Sequence, residues 1–258
     1  MGATCIGNRV PIASMRIIKY GWGQDNALEM VFVEGTRGRP FLFGEGATRK
    51  PVEVPDFFIA TVPVTNALWA HVMDADDRPA GDRVPRLDLS WDEITSPGGF
   101  LDRLDNSRVK SALTAQMSGN GKATLRLPSE TEWEYAARGG PFWRDDLRYS
   151  GSNDIDAVAW YKGNSGNHTH DVARKAPNQL GIYDMCGNVW EWCQDAFTRD
   201  VAAIPSDGRP FTGAADERVL RGGCFHNWAI HCTASKRYEI AHDYRDGCIG
   251  FRLVMCAS

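Results

Sequence analysis

The side chains best able to do chemistry in this chain are its thiols and imidazoles. Seven cysteines occur at irregular spacings, and none forms the Cys-x-x-Cys pair of a zinc ribbon. Their odd number predicts reduced, partly buried thiols rather than a disulfide framework. Scattered histidines are more often solvated than bound to a metal, so a histidine metal site is not favoured. These residues are Cys5, Cys186, Cys193, Cys224, Cys232, Cys248 and Cys256, with His168, His170, His226, His231 and His242.

Three of these cysteines and three of these histidines lie in one unusual segment, "RVLRGGCFHNWAIHCTASKRYEIAHDYRDGCIGFRLV", from Arg218 to Val254. The two ends of the segment are typical of short core strands. The middle mixes aromatic, charged, imidazole and aliphatic side chains with neither helical nor strand periodicity. We therefore expect the middle to be a surface that is not required for core packing.

Composition sets limits on the kind of protein. The 258 residues are 43% hydrophobic and 24% charged, which suffices for a sizeable core. The net charge of -4 does not indicate nucleic-acid binding. No apolar run is long enough to span a membrane. No signal peptide is recognisable, so we expect synthesis in the cytoplasm. With no linker and no repeat, residues 1–258 are predicted to form a single domain.

Two helices are predicted from capping signals. In "RLPSETEWEYAARGG", Ser129 and Glu132 have the spacing of a capping box. A second helix is expected to begin at Thr65 or Asn66, both good N-cap residues. Residues 139–178 are rich in Gly, Asn and Asp and contain little periodicity. Much of the chain is therefore expected to be loop.

Five ordered motifs identify a family. They are "PVTNALW", "RLPSETEWEYAARGG", "NQLGIYDMCGNVWEWCQD", "RVLRGG" and "GFRLV". Together they closely resemble the formylglycine-generating enzyme, or sulfatase-modifying factor, family from about Val31 to Val254. The resemblance implies an α+β, C-type-lectin-like fold, rich in loops and poor in regular secondary structure.

One function of this family is the oxidation of a sulfatase cysteine to formylglycine. The family's chemistry uses two cysteines that bind copper(I) as thiolates, which are soft ligands. In this chain the two positions hold Asn227 and Cys232, so one ligand is missing. Cys224 replaces a usual serine nearby and is a sulfur at a different position. If the chain is such an oxidase, copper is its cofactor and Cys232 its catalytic residue; the missing ligand favours a non-enzyme.

The segment also resembles the variable protein of a diversity-generating retroelement. In such systems a reverse transcriptase miscopies template adenines, so asparagine codons become many different residues. Fixed positions of that pattern are matched by Cys232, Arg237, Asp243, Arg245, Ile249, Gly250, Phe251 and Arg252, whereas Thr233 and His242 depart from it.

We define residues 224–248 as the variable segment, which the resemblance assigns to ligand binding. Most of its diversified residues can be reached from AAC or AAT codons by adenine changes alone; Trp228, Lys236 and Glu239 need template codons that end in a purine. The predicted ligand-binding residues are Cys224, Phe225, His226, Asn227, Trp228, Ile230, His231, Lys236, Tyr238, Glu239, Ile240, Ala241, Tyr244, Asp246, Gly247 and Cys248.

These residues are expected to form one exposed, paratope-like patch. Tyrosine and tryptophan provide contact area at low entropy cost, and polar residues adapt to different partners. The expected partner is a protein or another surface molecule, bound by a chain displayed on a cell or a virion. The frame arginines Arg221, Arg237, Arg245 and Arg252 are expected to be structural and to pair with carboxylates.

The resemblance further implies a structural calcium ion. Residues matching the family's calcium loop are Asp184, Gly187, Val189 and Glu191. Two carboxylates and two backbone carbonyls suit this hard cation. Three functions thus stay open at this point: a diversified ligand-binding protein, a copper-dependent oxidase, and an inert scaffold.

Overall fold

Eleven strands are present in the part of the chain that the computed structural model describes, residues 16–75, 81–117 and 122–257. Cys5 and the residues on which the signal-peptide expectation depends lie outside that part. The strands are β1 (Ile17–Trp22), β2 (Asn26–Val33), β3 (Phe41–Phe43), β4 (Lys50–Val52), β5 (Phe57–Ala60), β6 (Ala123–Arg126), β7 (Trp190–Ala196), β8 (Glu217–Arg221), β9 (Arg237–Ala241), β10 (Ile249–Phe251) and β11 (Val254–Ala257).

The strands form two main sheets. The larger is antiparallel, with the order β1-β2-β5-β11-β6. The smaller has the order β10-β7-β8-β9, and only the β10–β7 pair is parallel. Strands β3 and β4 pair separately. The C-terminal motif "IGFRLV" therefore enters both main sheets, which explains why its sequence is that of a buried frame.

Six short helices complete the fold: α1 (Asn66–Met73), α2 (Trp91–Thr95), α3 (Phe100–Asp105), α4 (Arg108–Thr114), α5 (Glu130–Ala137) and α6 (Ile155–Val158). The two predicted helices are confirmed. Thr65 caps α1 by accepting from the Leu68 N–H, and Ser129 and Glu132 form the capping box of α5. Nowhere in the described ranges is a helix both long and apolar enough to cross a membrane.

Helix α2 lies within residues 74–97, a polar, proline-containing stretch that is more typical of a surface loop. Ser90 and Glu93 form a complete capping box at its start, a signal that is present in the sequence as Ser-x-x-Glu. Residues 76–80 of that stretch lie outside the described part.

The core contains aromatic side chains from distant parts of the chain. Trp69 stacks on Phe100 with ring centroids 5.1 Å apart, and Phe251 meets Phe100 edge-on at 5.2 Å. All three are buried. Phe251 is thus a packing residue, as its frame position predicted, and its volume is fixed by neighbours on two helices.

Helix α5 is buried on every side, including its carboxylates. Glu130 and Glu134 are almost inaccessible, yet neither is isolated, because arginines of the smaller sheet pair with both. A buried charge is tolerated only with such a partner. The helix therefore attaches the frame of the variable segment to the core.

Candidate ligand-binding surface

The variable segment contains most of the exposed large hydrophobic side chains. Among the described residues six such side chains are exposed, and four of them are Trp228, Ile230, Tyr238 and Tyr244. Trp228 and Ile230 are 60% and 62% exposed. Exposed apolar side chains concentrated in one segment are a feature of interaction sites.

The backbone of the variable segment has three parts. A loop with a short 3₁₀ turn, Ala229–His231, follows β8, then comes β9, and a second loop leads into β10. Strand β9 corrects the expectation of a wholly irregular middle, since it pairs with β8 at the edge of the smaller sheet. Its side chains alternate, so that residues 238 and 240 share one face.

Two glycines allow the first loop to leave β8 sharply. Gly222 and Gly223 have φ angles of 95° and 75°, values that favour glycine. A Cβ on Gly223 would lie 2.7 Å from the His231 carbonyl oxygen and 2.8 Å from the Cys232 sulfur. The loop therefore folds back tightly onto itself at this point.

A cleft of about 340 Å³ is lined by two of these exposed side chains, Tyr238 and Tyr244. Trp190 and Tyr238 stack in it with ring centroids 5.4 Å apart. The variable segment contributes Asn227, His231, Tyr238, Ile240, Tyr244, Asp246 and Cys248 to its lining, and the sheet contributes Trp190, Leu220 and Ile249. A cleft of this size and mixed polarity is suited to an inserted side chain of a partner.

Most of the predicted ligand-binding residues are accessible. The exposed ones are His226, Trp228, Ile230, Tyr238, Ala241, Tyr244 and Gly247; the half-buried ones are Asn227, His231, Lys236, Glu239, Ile240, Asp246 and Cys248.

Three predicted positions need correction. Cys224 is fully buried and Phe225 is 8% exposed, because both pack on the core beneath the loop. Glu239 alternates with residues 238 and 240 along β9, so it lies on the face opposite the cleft, and its carboxylate is 3.3 Å from Arg199. These residues support the surface or border it rather than forming its centre.

Sequence reasoning missed the floor of the cleft and one neighbour of its rim. Trp190, Leu220 and Ile249 are buried frame residues that line the cleft from below. Lys162, far away in the sequence, places its ammonium 4.3 Å from the centre of the Trp228 ring. No local signal marks these residues, since only the tertiary fold brings them to the segment.

The frame arginines are paired as predicted. Arg221 is fully buried, 2.5 Å from Glu134, and donates to the carbonyls of residues 234 and 235. Arg237 binds both oxygens of Glu130, at 2.6 and 2.7 Å. Arg245 makes an exposed pair with Glu93. Bidentate geometry of this kind fixes position as well as charge.

At one of the family's two copper-ligand positions, Asn227 instead holds a backbone turn. The Asn227 side-chain oxygen accepts from the Cys224 N–H at 2.9 Å, and the Asn227 N–H donates to the Cys224 carbonyl at 3.0 Å. Cys232 is fully buried, and burial raises the pKa of its thiol well above the ordinary value. With an amide at one of the two ligand positions, a single thiol is a poor copper(I) site.

The predicted calcium ligands are engaged with other partners. Both oxygens of Glu191 accept from the Arg252 guanidinium at 2.6 Å, and one also accepts from the Trp133 indole at 2.7 Å. The Gly187 carbonyl accepts from the Val189 N–H.

The second carboxylate of that predicted set is also committed. The Asp184 carboxylate accepts from the Ala173 N–H at 2.8 Å, and burial raises the pKa of Asp184 to about 6. The guanidinium on Glu191 repels another cation, so these residues as placed do not fit calcium.

All six described cysteines are free, and four of them are buried. Two of them, Cys224 and Cys248, meet His226 at one side of the surface: the three ligand atoms lie within 4.8 Å of one another. Their separation in sequence is why spacing did not reveal the cluster.

Comparisons with known proteins support the fold. Treponema denticola variable protein 1 superposes with a TM-score of 0.76 and 27% identity, over 94% of this chain and 99% of that one. PvdO from Pseudomonas aeruginosa superposes with a TM-score of 0.70 and 23% identity, over 90% of this chain and 95% of that one.

Curated relatives match shorter parts of the chain. The formylglycine-generating enzyme of Thermomonospora curvata is 34% identical over 172 residues, 58% of this chain and 54% of that protein. The chaperone protein LppX of Paenibacillus barcinonensis is 35% identical over 184 residues, 56% of this chain and 64% of that protein. The chain thus spans about half to two thirds of the length of these two relatives.

The family itself matches almost the whole chain, over residues 23–257. The two sheets, the short helices and the long loops form the α+β, C-type-lectin-like architecture that the ordered motifs predicted. The chain belongs to the sulfatase-modifying factor enzyme 1-like domain family.

Proposed function

We propose that this protein is a ligand-binding protein whose variable segment is diversified by a retroelement on a fixed C-type-lectin-like scaffold. The observation that carries this function is the separation of roles within one stretch of chain. Diversifiable residues such as Trp228 and Ile230 are exposed, whereas frame residues such as Arg221, Phe251 and Arg252 are fully buried. A close-packed core resists changes in side-chain volume, so a sequence under massive variation must keep its variable side chains outside the core.

The partner we propose is a protein or another exposed surface molecule. The patch combines aromatic rings, imidazoles and a cleft lined by Asp246 and Tyr244, a mixture typical of adaptable binding surfaces. Likeness to Treponema denticola variable protein 1 over nearly the full length of both chains supports the same use of the fold. Display on a cell or virion surface belongs to this proposal.

The proposal is tested by the DNA around the gene. We expect a reverse transcriptase gene and a near-copy of the codons for residues 218–254, in which the two copies differ only where the template has adenine. Substitutions scattered over all four template bases, or confined to the codons of buried residues such as Phe251, would contradict diversification.

Formylglycine-generating activity is the second candidate, because curated relatives with that name are 34% and 36% identical to parts of this chain. We expect no activity, since Asn227 holds a backbone turn where the copper chemistry needs a thiolate. A sulfatase-derived cysteine peptide incubated with the protein, copper and oxygen should yield no aldehyde by mass spectrometry. Aldehyde formation above that of a Cys232→Ala control would show that the protein is an oxidase.

A further inference from the structure

Two thiols and one imidazole meet beside the cleft. The sulfurs of Cys224 and Cys248 and a ring nitrogen of His226 all lie within 4.8 Å of one another. Cys224 is buried, Cys248 is half-buried and His226 is exposed. We propose that this thiol–imidazole cluster binds one zinc ion, with the fourth coordination position directed to solvent or to a bound partner.

The donor chemistry favours zinc. Two cysteine sulfurs and one histidine nitrogen form a Cys₂His set, which leaves one position of the zinc tetrahedron open. Ligand atoms of such a tetrahedron are about 3.5–3.8 Å apart, given the usual zinc–sulfur and zinc–nitrogen distances. The three ligand atoms lie within 4.8 Å of one another, and a small rotation of the exposed His226 side chain closes the remaining gap.

Backbone hydrogen bonds already hold the two cysteines in place. The Asn227 amide holds the Cys224 N–H at 2.9 Å, and Asp246 accepts from the Cys248 N–H at 2.8 Å. The Cys248 carbonyl accepts from a strand N–H of the frame, that of residue 190, at 2.9 Å. The His226 ring packs 4.2 Å from the Phe225 ring. Metal binding therefore requires little ordering of the chain.

The two sulfurs interact directly. A hydrogen bond from Cys248 lowers the pKa of the Cys224 thiol, and the same bond raises the pKa of Cys248. Zinc replaces the shared proton: two zinc–sulfur bonds form, both thiol protons pass to the buffer, and no electron is transferred. The positive ion also faces Asp246, whose carboxylate lines the cleft beside Cys248.

This site differs from the family's copper position. That position corresponds to Asn227 and Cys232, neither of which belongs to the cluster. His226 and Cys248 stand at adenine-variable positions, so zinc is expected in this sequence variant and not as a property of the scaffold. Zinc binding does not depend on the proposed ligand-binding function, because the three donors converge whatever their genetic origin.

Titration of the reduced, metal-free full chain with Co²⁺ and Zn²⁺ tests the site. We expect thiolate-to-cobalt charge-transfer absorption, tetrahedral d–d bands, displacement by one equivalent of Zn²⁺, and a rise in Tm with zinc. His226→Ala and Cys248→Ser should weaken zinc binding by about 100-fold or more. This exceeds the loss usually seen when a residue that only hydrogen-bonds to a metal ligand is changed. Cys256→Ser is the matched control, because Cys256 is a half-buried free thiol outside the cluster, and it should bind zinc normally.

Several results would overturn the zinc assignment. They are the absence of charge-transfer absorption, undiminished zinc affinity in a folded His226→Ala/Cys248→Ser double variant, or saturable binding of copper(I) with none of zinc. A Cys224–Cys248 disulfide that persists in the purified protein, with no metal uptake after its reduction, would equally exclude the site. His226→Ala keeps the test valid even if changes at the buried Cys224 prevent folding.

Discussion

Glu191→Gln is expected to lower the free energy of unfolding by about 3–5 kcal/mol, the usual penalty for breaking a buried ion pair from one side. Glu191 and Arg252 are almost completely buried, and two hydrogen bonds of 2.6 Å join them. Arg252 also donates to the carbonyls of residues 60 and 183. The substitution leaves its charge without a counterion in the core. Chemical denaturation monitored by tryptophan fluorescence measures the loss.

A matched exposed pair provides the control. Glu239 lies 3.3 Å from Arg199, whose side chain is 87% exposed, so Glu239→Gln should cost less than about 1 kcal/mol. The Tm of the unmodified protein should be the same in chelator and in millimolar calcium, because Glu191 is engaged by Arg252. A calcium-dependent rise in Tm that disappears in Glu191→Gln would instead restore the calcium site and contradict the ion-pair role.

Phe251→Ala should destabilise the protein by about 3–5 kcal/mol, whereas four alanines on the variable surface should cost less than about 2 kcal/mol in total. Phe251 is fully buried between Trp69 and Phe100. The four exposed residues, replaced together, are Trp228, Ile230, Tyr238 and Tyr244. Thermal and urea denaturation of the two variants give the comparison.

A pooled library makes the same contrast more general. Randomisation of the four exposed positions should leave most members resistant to protease, while randomisation of Arg237, Gly250 and Phe251 should leave few. Equal intolerance at both sets of positions would show that the variable segment is part of the core and would remove the physical basis for diversification.

The frame of this fold could be predicted from sequence because its signals are local. Ser129 and Glu132, three residues apart, mark the start of α5 as a capping box, and Thr65 marks the start of α1 as an N-cap. The frame arginines also paired as expected, since a guanidinium within a core segment needs a carboxylate. Helix α2 has the same signal in Ser90 and Glu93, but it lies in a polar, proline-containing stretch that is more typical of a loop.

The site could be predicted only in outline. Exposure of the variable segment followed from its lack of periodicity, but burial of Cys224 and Phe225 did not, because nothing in a diversified pattern reports depth. The cleft floor and the thiol–imidazole cluster depend on β7 lying between β8 and β10. Contacts between residues 190 and 238, or 224 and 248, are set by strand order, which no local pattern encodes.

The two glutamates of α5 have a consequence for the thermodynamics of recognition. Glu134 binds Arg221 just before the variable segment, and Glu130 binds Arg237 within it, both in the protein interior. The loop between these two arginines is thus tethered at both ends before any partner arrives. Ordering a flexible loop on association consumes part of the binding free energy. Here the loop is already ordered when the protein folds. New side-chain combinations therefore present a preorganised shape and lose little conformational entropy when they bind.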